Sequence, residues 1–206
     1  MKILIAVPCM DQLPAQFAQS LATLNKVEDC QVAFQMGSLI YNSRNYLATM
    51  AIQKEFDYVL WLDSDMVFMP DLLQKLYEDR DKGDIITGIY YRRVEPFRPV
   101  LFDKLEIVDG GCEWTNLDEY PDGIFEIEGC GFGCVFMPTN IFLDVANRFG
   151  NMFSPIGGVG EDLSFCWRAR QCGYKIVADS KIQLGHVSHY VVDKKFYDAY
   201  QKGKQK

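Results

Sequence analysis

The chain has no excess of positive charge, no long hydrophobic run and no C-x-x-C pair. Its 28 acidic residues outnumber 21 basic ones, for a net charge of -7 at pH 7. That leaves no basic footprint for gripping nucleic-acid phosphates or anionic lipid. The opening apolar run, Ile3 to Val7, stops at Pro8. It is too short for a signal-peptide core or a membrane span. The seven cysteines are odd in number and lack the spacing of a zinc site, so they read as reduced core residues of a cytoplasmic protein. Internal repeats and low-complexity segments are absent. What remains, 49% hydrophobic and 24% charged over 206 residues, is enough for one domain with a sizeable core. We expect that domain over 1–193, followed by a Lys-rich tail over 194–206.

The stretch around which the rest is organised is D-Y-V-L-W-L-D-S-D-M, Asp57 to Met66. Tyr58 to Leu62 is a continuous apolar run, strand-length and too short for a helix, as expected of a strand buried on both faces of a sheet. It ends in Asp63-Ser64-Asp65. Two carboxylates two residues apart on extended backbone point to one side and would repel each other. A divalent cation resolves that repulsion, and oxygen ligands suit Mg²⁺ or Mn²⁺. The plainer reading, an aspartate capping the next helix, fits less well because that helix is expected to start at Pro70.

Upstream, Ile3–Val7 and Cys30–Met36 read as strands, with helices over 14–24 and from Asn42 or Ser43 to about Phe56. This β-α-β-α-β order predicts a mostly parallel central sheet flanked by helices. Residues 97–128, broken by Asp109-Gly110-Gly111 and Pro121-Asp122-Gly123, read as a small antiparallel excursion. Cys134 to Met137 is expected to continue the strand over 124–128. A Gly-rich, mobile loop over 151–160 then leads to a helix opened by Glu161 or Asp162. Two short strands and a frayed C-terminal helix complete the pattern.

Acids at a helix start are favoured by the dipole and by free N–H groups, which accounts for one of Glu161 and Asp162 but not for their place after a Gly-rich loop. At the helix expected near Asn42-Ser43-Arg44-Asn45, free N–H groups attract anions and Arg44 adds a forked donor. Taken in order, the strand ending in D-x-D, the G-E-D-x-x-x-x-x-R-x-x-x-x-G segment from Gly160 to Gly173, and a histidine in L-G-H-V-S-H resemble the family-2-type GT-A glycosyltransferases. The resemblance spans nearly the whole chain.

It implies a single GT-A (Rossmann-like) α/β domain and an enzyme that moves a sugar from a nucleotide-diphosphate sugar to a hydroxyl acceptor. It further implies Mn²⁺ (or Mg²⁺) on Asp63, Asp65 and His186, with His189 as rival. Asp162 would be the general base of an inverting transfer, beside Glu161. Pro8, Asp11, Arg44, Asn45, Asp63 and Ser64 would lie near the nucleotide. The acceptor stays open among saccharide, protein and modified nucleobase. Two alternatives stand beside this reading. A sugar nucleotidyltransferase resembles its kin in a Gly-rich basic loop after the first strand, where this chain has Pro8-Cys9-Met10-Asp11-Gln12. A non-catalytic nucleotide-sugar-binding module would not need Asp162.

Overall fold

The structure is a computed structural model and describes residues 1–27, 29–108, 111–188 and 194. The expected frayed helix of the tail and the rival ligand His189 lie outside the described residues, as does the Asp109-Gly110 part of the first turn.

The elements run β1 (Ile3–Cys9), α1 (Ala15–Thr23), β2 (Cys30–Met36), α2 (Ile40–Gln53), β3 (Tyr58–Leu62), β4 (Met66–Val67), α3 (Leu72–Glu78) and β5 (Ile85–Ile89). Next come β6 (Leu101–Val108), β7 (Gly111–Asn116), β8 (Ile124–Ile127), β9 (Gly129–Cys130), β10 (Cys134–Pro138) and α4 (Asn140–Phe149). The last are α5 (Glu161–Gln171), β11 (Ile176–Gln183) and β12 (Gly185–His186). None of the described helices is long and apolar enough to cross a membrane.

The central sheet has seven strands in the order β2-β1-β3-β10-β5-β11-β8. It corrects the expected Rossmann-like, mostly parallel sheet. β1 pairs parallel with β2 and β3, and β11 with β5, but β10 runs antiparallel to both β3 and β5, and β8 antiparallel to β11. The sheet is mixed at its centre. Nor does β10 continue β8, which sits at the far edge. The physical reason is that continuous apolarity reports burial on both faces and says nothing about strand direction. Direction follows the connections: parallel neighbours need crossovers, whereas β10 is reached through a second sheet, β7-β6-β9, and enters from the opposite end.

Side chains alternating along each strand feed two hydrophobic cores, one on each face. Leu4, Ala6, Val59, Trp61 and Val135 face α2, α4 and α5 with Leu47, Phe142, Phe153 and Phe165. Ile3, Ile5, Val7, Leu60, Leu62 and Phe136 face α1 and α3 with Phe17, Leu73 and Leu76. Both cores are closed around β3, whose Val59 to Leu62 are fully buried. The strand that carries the acidic pair is therefore held rigidly where it delivers Asp63 to the sheet edge.

Helix starts differ from expectation. α2 begins at Ile40 with no side-chain cap, so Asn42 to Asn45 lie within its first turns rather than at its free N–H groups. α3 begins at Leu72, after Asp71. The two short strands expected near the C-terminus are one strand, β11.

Candidate functional site

Beyond Leu62 the backbone leaves the sheet and turns, with Met66 N–H donating to Asp63 O at 3.2 Å. Asp63 and Asp65 are thus not a pair on extended backbone. Both line one cavity of about 630 Å³, but each is claimed by a different cation. Asp63 Oδ1 accepts from Arg44 Nη2 at 2.8 Å. Asp65 Oδ2 accepts from Arg93 Nη1 at 2.9 Å and lies 3.4 Å from His186 Nε2. The repulsion that the sequence raised is relieved within the protein by separate partners.

His186 reaches Asp65 because β12 pairs antiparallel with β4, setting His186 opposite Met66, while Val187 N–H donates to Asp65 O at 2.9 Å. Its Nδ1 lies 2.8 Å from Tyr91 O. A carbonyl only accepts, so Nδ1 carries the hydrogen, and Nε2 faces Asp65, with its lone pair in the neutral ring and as a donor when the ring is protonated. Burial lowers the pKa of His186, but the bonds to Asp65 and to Tyr91 O outweigh it and the net shift is upward. Burial likewise raises Asp65, and His186 and Arg93 more than offset this, leaving it below the usual carboxylate value. An imidazole lone pair 3.4 Å from a carboxylate oxygen calls for a proton or a cation between them.

Arg44 is 2% exposed and bridges two elements: Nε donates to Glu161 Oε1 at 3.0 Å while Nη2 holds Asp63. Its guanidinium lies over Phe132 and Trp61, at 5.2 and 5.5 Å from the ring centroids. The third nitrogen, Nη1, is buried with no hydrogen-bond partner among the described residues. A cation over aromatic faces is partly compensated for that loss. The sequence placed Arg44 as a nucleotide ligand. The geometry gives it the task of tying the end of β3 to the start of α5.

α5 opens at Glu161 with Gly160 as its N-cap. A Cβ at Gly160 would lie 2.9 Å from Asp162 Oδ1, so glycine leaves room for that carboxylate. Oδ1 accepts the Leu163 N–H at 2.8 Å. Asp162 keeps an edge open to the cavity, yet loss of hydration and the charges of Glu161 and Asp63 outweigh Arg44 and the Leu163 bond, pushing its pKa up to about 6. The Gly-rich loop expected to be mobile is pinned at several points. Phe153 N–H donates to Asn45 Oδ1 at 3.1 Å, Ile156 N–H to Ser164 Oγ at 2.9 Å, and Arg168 Nη1 to Met152 O at 3.0 Å.

Of the residues singled out from sequence, Pro8, Arg44, Asp63, Ser64, Asp65, Glu161, Asp162 and His186 line the one cavity. Asn45 is spent on the loop, and Asp11 lines a separate apolar hollow with Leu13, Phe34 and Met36. Among the lining residues that the sequence did not single out are Tyr90, Arg92 and Arg93. Buried Tyr90 accepts the Gly133 N–H at 3.1 Å on its hydroxyl and stands edge-on to His186. A Cβ at Gly133 would lie 2.7 Å from Tyr90 Cζ, which explains that glycine of G-C-G-F-G. A signal for the arginines existed, since two basic residues follow a buried strand after only Tyr90 and Tyr91, where ligands collect in α/β sheets.

Among the described residues no group of three or more His, Cys, Asp or Glu side chains is placed to hold a metal. Asp65 Oδ2 and His186 Nε2 bring one oxygen and one nitrogen donor within 3.4 Å of each other. Their mixed oxygen and nitrogen donors fit a Mn²⁺- or Mg²⁺-class ion whose other ligands come from bound phosphate and water.

Comparison with known proteins adds three findings. No curated protein matches the chain. The chain superposes on A197 from STIV with a TM-score of 0.66 at 20% identity, covering 92% of this chain and 87% of that one. At that identity the likeness speaks for the fold alone. The Anp1 family model, which is glycosyltransferase-related, matches residues 13–102. This is under half of the chain, but it includes Arg44, Asp63, Asp65, Arg92 and Arg93. Over that segment the chain is glycosyltransferase-like.

Proposed function

We propose that the protein transfers a glycosyl group from a nucleoside-diphosphate sugar to a hydroxyl acceptor, with Asp65 and His186 holding a divalent ion and Asp162 serving as general base. The observation that carries this reading is one cavity that presents an Asp65–His186 pair 3.4 Å apart together with a carboxylate whose pKa is about 6. The glycosyltransferase-like segment supports the reading independently. When bound, the ion would neutralise charge on the departing diphosphate.

The chain's own residues have distinct tasks. Asp162 accepts the acceptor hydroxyl proton as that oxygen bonds to the anomeric carbon and the carbon–phosphate oxygen bond breaks. A single displacement of this kind inverts the anomeric configuration. A base with a pKa near 6 is ionised at neutral pH and still strong enough to take the proton. Arg44 fixes Asp63 and Glu161, the two carboxylates whose charges act on the base, and Pro8 and Ser64 line the same cavity, where the nucleoside is expected.

The test is release of free nucleoside diphosphate from a panel of uridine- and guanosine-linked sugars with Mn²⁺. We expect turnover with at least one donor, suppression by chelator, and loss of donor binding in Asp65→Ala. Turnover indifferent to chelator, or wild-type activity in Asp65→Ala, refutes the assignment of the ion.

A further inference from the structure

Arg93 and His186 compete for one atom. Arg93 Nη1 is 2.9 Å and His186 Nε2 3.4 Å from the same Asp65 Oδ2, and the three side chains differ sharply in freedom. His186 is fixed by Tyr91 O and the β4–β12 pairing, and Asp65 by its backbone bond from Val187. The Arg93 side chain is 49% exposed. It stands one residue beyond the foot of a tight chain reversal, closed by Arg92 N–H donating to Arg98 O at 2.9 Å and by the bridge between Tyr91 and Pro99. Arg92 is anchored by Asn116 Oδ1 at 3.3 Å, and its guanidinium lies 6.0 Å from the centroid of Trp114. The loop is thus pinned at its foot, while the Arg93 side chain, which it sends to Asp65, is held by that ion pair and is half exposed.

Resting on the divalent-ion reading above, we propose that Arg93 is an internal counter-cation. It occupies Asp65 until a divalent ion arrives, then transfers its guanidinium to the donor diphosphate. An ion pair whose cation is half exposed is weak, so the ion need displace only a loosely held charge. A guanidinium forced off one carboxylate beside a cavity has a planar fork suited to phosphate oxygens. Arg93 is a positioning residue: it couples ion entry to donor capture without touching the reacting carbon.

The two roles have opposite signs, which makes them separable by calorimetry. In Arg93→Ala, Mn²⁺ alone should bind about two- to fivefold more tightly than in wild type, because its competitor at Asp65 is gone. UDP or GDP, whichever the wild type prefers, should bind about tenfold more weakly at saturating Mn²⁺. Circular-dichroism melting of the variant is expected to match wild type, since the side chain is half exposed. If both affinities fall together, or neither changes, Arg93 is only a surface ion pair and the inference is overturned. If wild type binds no Mn²⁺ with or without nucleotide, the ion assignment fails first and takes this proposal with it.

Discussion

Asp162→Asn is expected to keep Mn²⁺ and nucleotide affinity while transferring sugar about 10²- to 10⁴-fold more slowly, the usual worth of a general base. Asparagine preserves the size of the side chain and can still accept the Leu163 N–H through its carbonyl oxygen. The change therefore removes proton acceptance and little else. In the wild type, the pKa of about 6 puts the acid limb of kcat/KM near pH 6, with the rate falling about tenfold per pH unit below it.

Stability runs the other way. The folded-state pKa lies above the carboxyl's ordinary 3.8, so the folded protein binds this proton more tightly than the unfolded chain does. Ionised Asp162 thus weakens the fold above pH 6, and the penalty fades as pH falls toward about 4. Asp162→Asn should accordingly raise the melting temperature at neutral pH and leave it unchanged near pH 4. Near-wild-type transfer by the variant would reduce Asp162 to a helix-start residue. If Glu161→Gln were the silent enzyme instead, the base would be its neighbour.

The second large effect is on the fold. Arg44→Met should cost about 3 kcal/mol, lowering the melting temperature by about 6–12 °C in a domain of this size. Methionine fills the stem's place but leaves Asp63 and Glu161 without their shared cation, and Asp162 beside them. Those two carboxylates keep some contact with solvent, which holds the cost below that of a fully sealed pair. Arg44→Lys should recover only part of the loss, since one ammonium cannot serve two carboxylates with a rigid fork. A melting temperature unchanged in Arg44→Met, together with weakened nucleotide binding by calorimetry, would restore the ligand role first expected for Arg44.

Much of the fold was legible because burial leaves a direct mark on sequence. The bounds of β3 follow from an apolar run closed by Asp63. The direction of β10 was not legible, because Cys134 to Met137 would be equally apolar in either orientation. At the site, D-x-D and G-E-D stand out because carboxylates next to buried strands or glycines are costly unless used. Partnership between distant residues leaves no such mark. Arg44 and Glu161 are 117 positions apart and meet only through the packing of α2 and α5 around Trp61 and Phe132. Arg93 follows a buried strand, but nothing in the sequence says that the chain reversal brings it onto Asp65. Asn45 sits beside Arg44 in sequence, yet helical geometry turns it toward the loop at Phe153 rather than into the cavity.

We propose that Asp65 and His186 are halves of one ion site in the cavity that Asp162 also lines. Anomalous diffraction at the manganese edge, from crystals grown with Mn²⁺ and the preferred nucleoside diphosphate, tests this. A peak is expected within bonding distance of Asp65 Oδ2 and His186 Nε2, with diphosphate oxygens completing its shell and Arg93 withdrawn from Asp65. A manganese peak elsewhere, or nucleotide bound in the cavity with the Asp65–His186–Arg93 contacts intact and no ion between them, would contradict it.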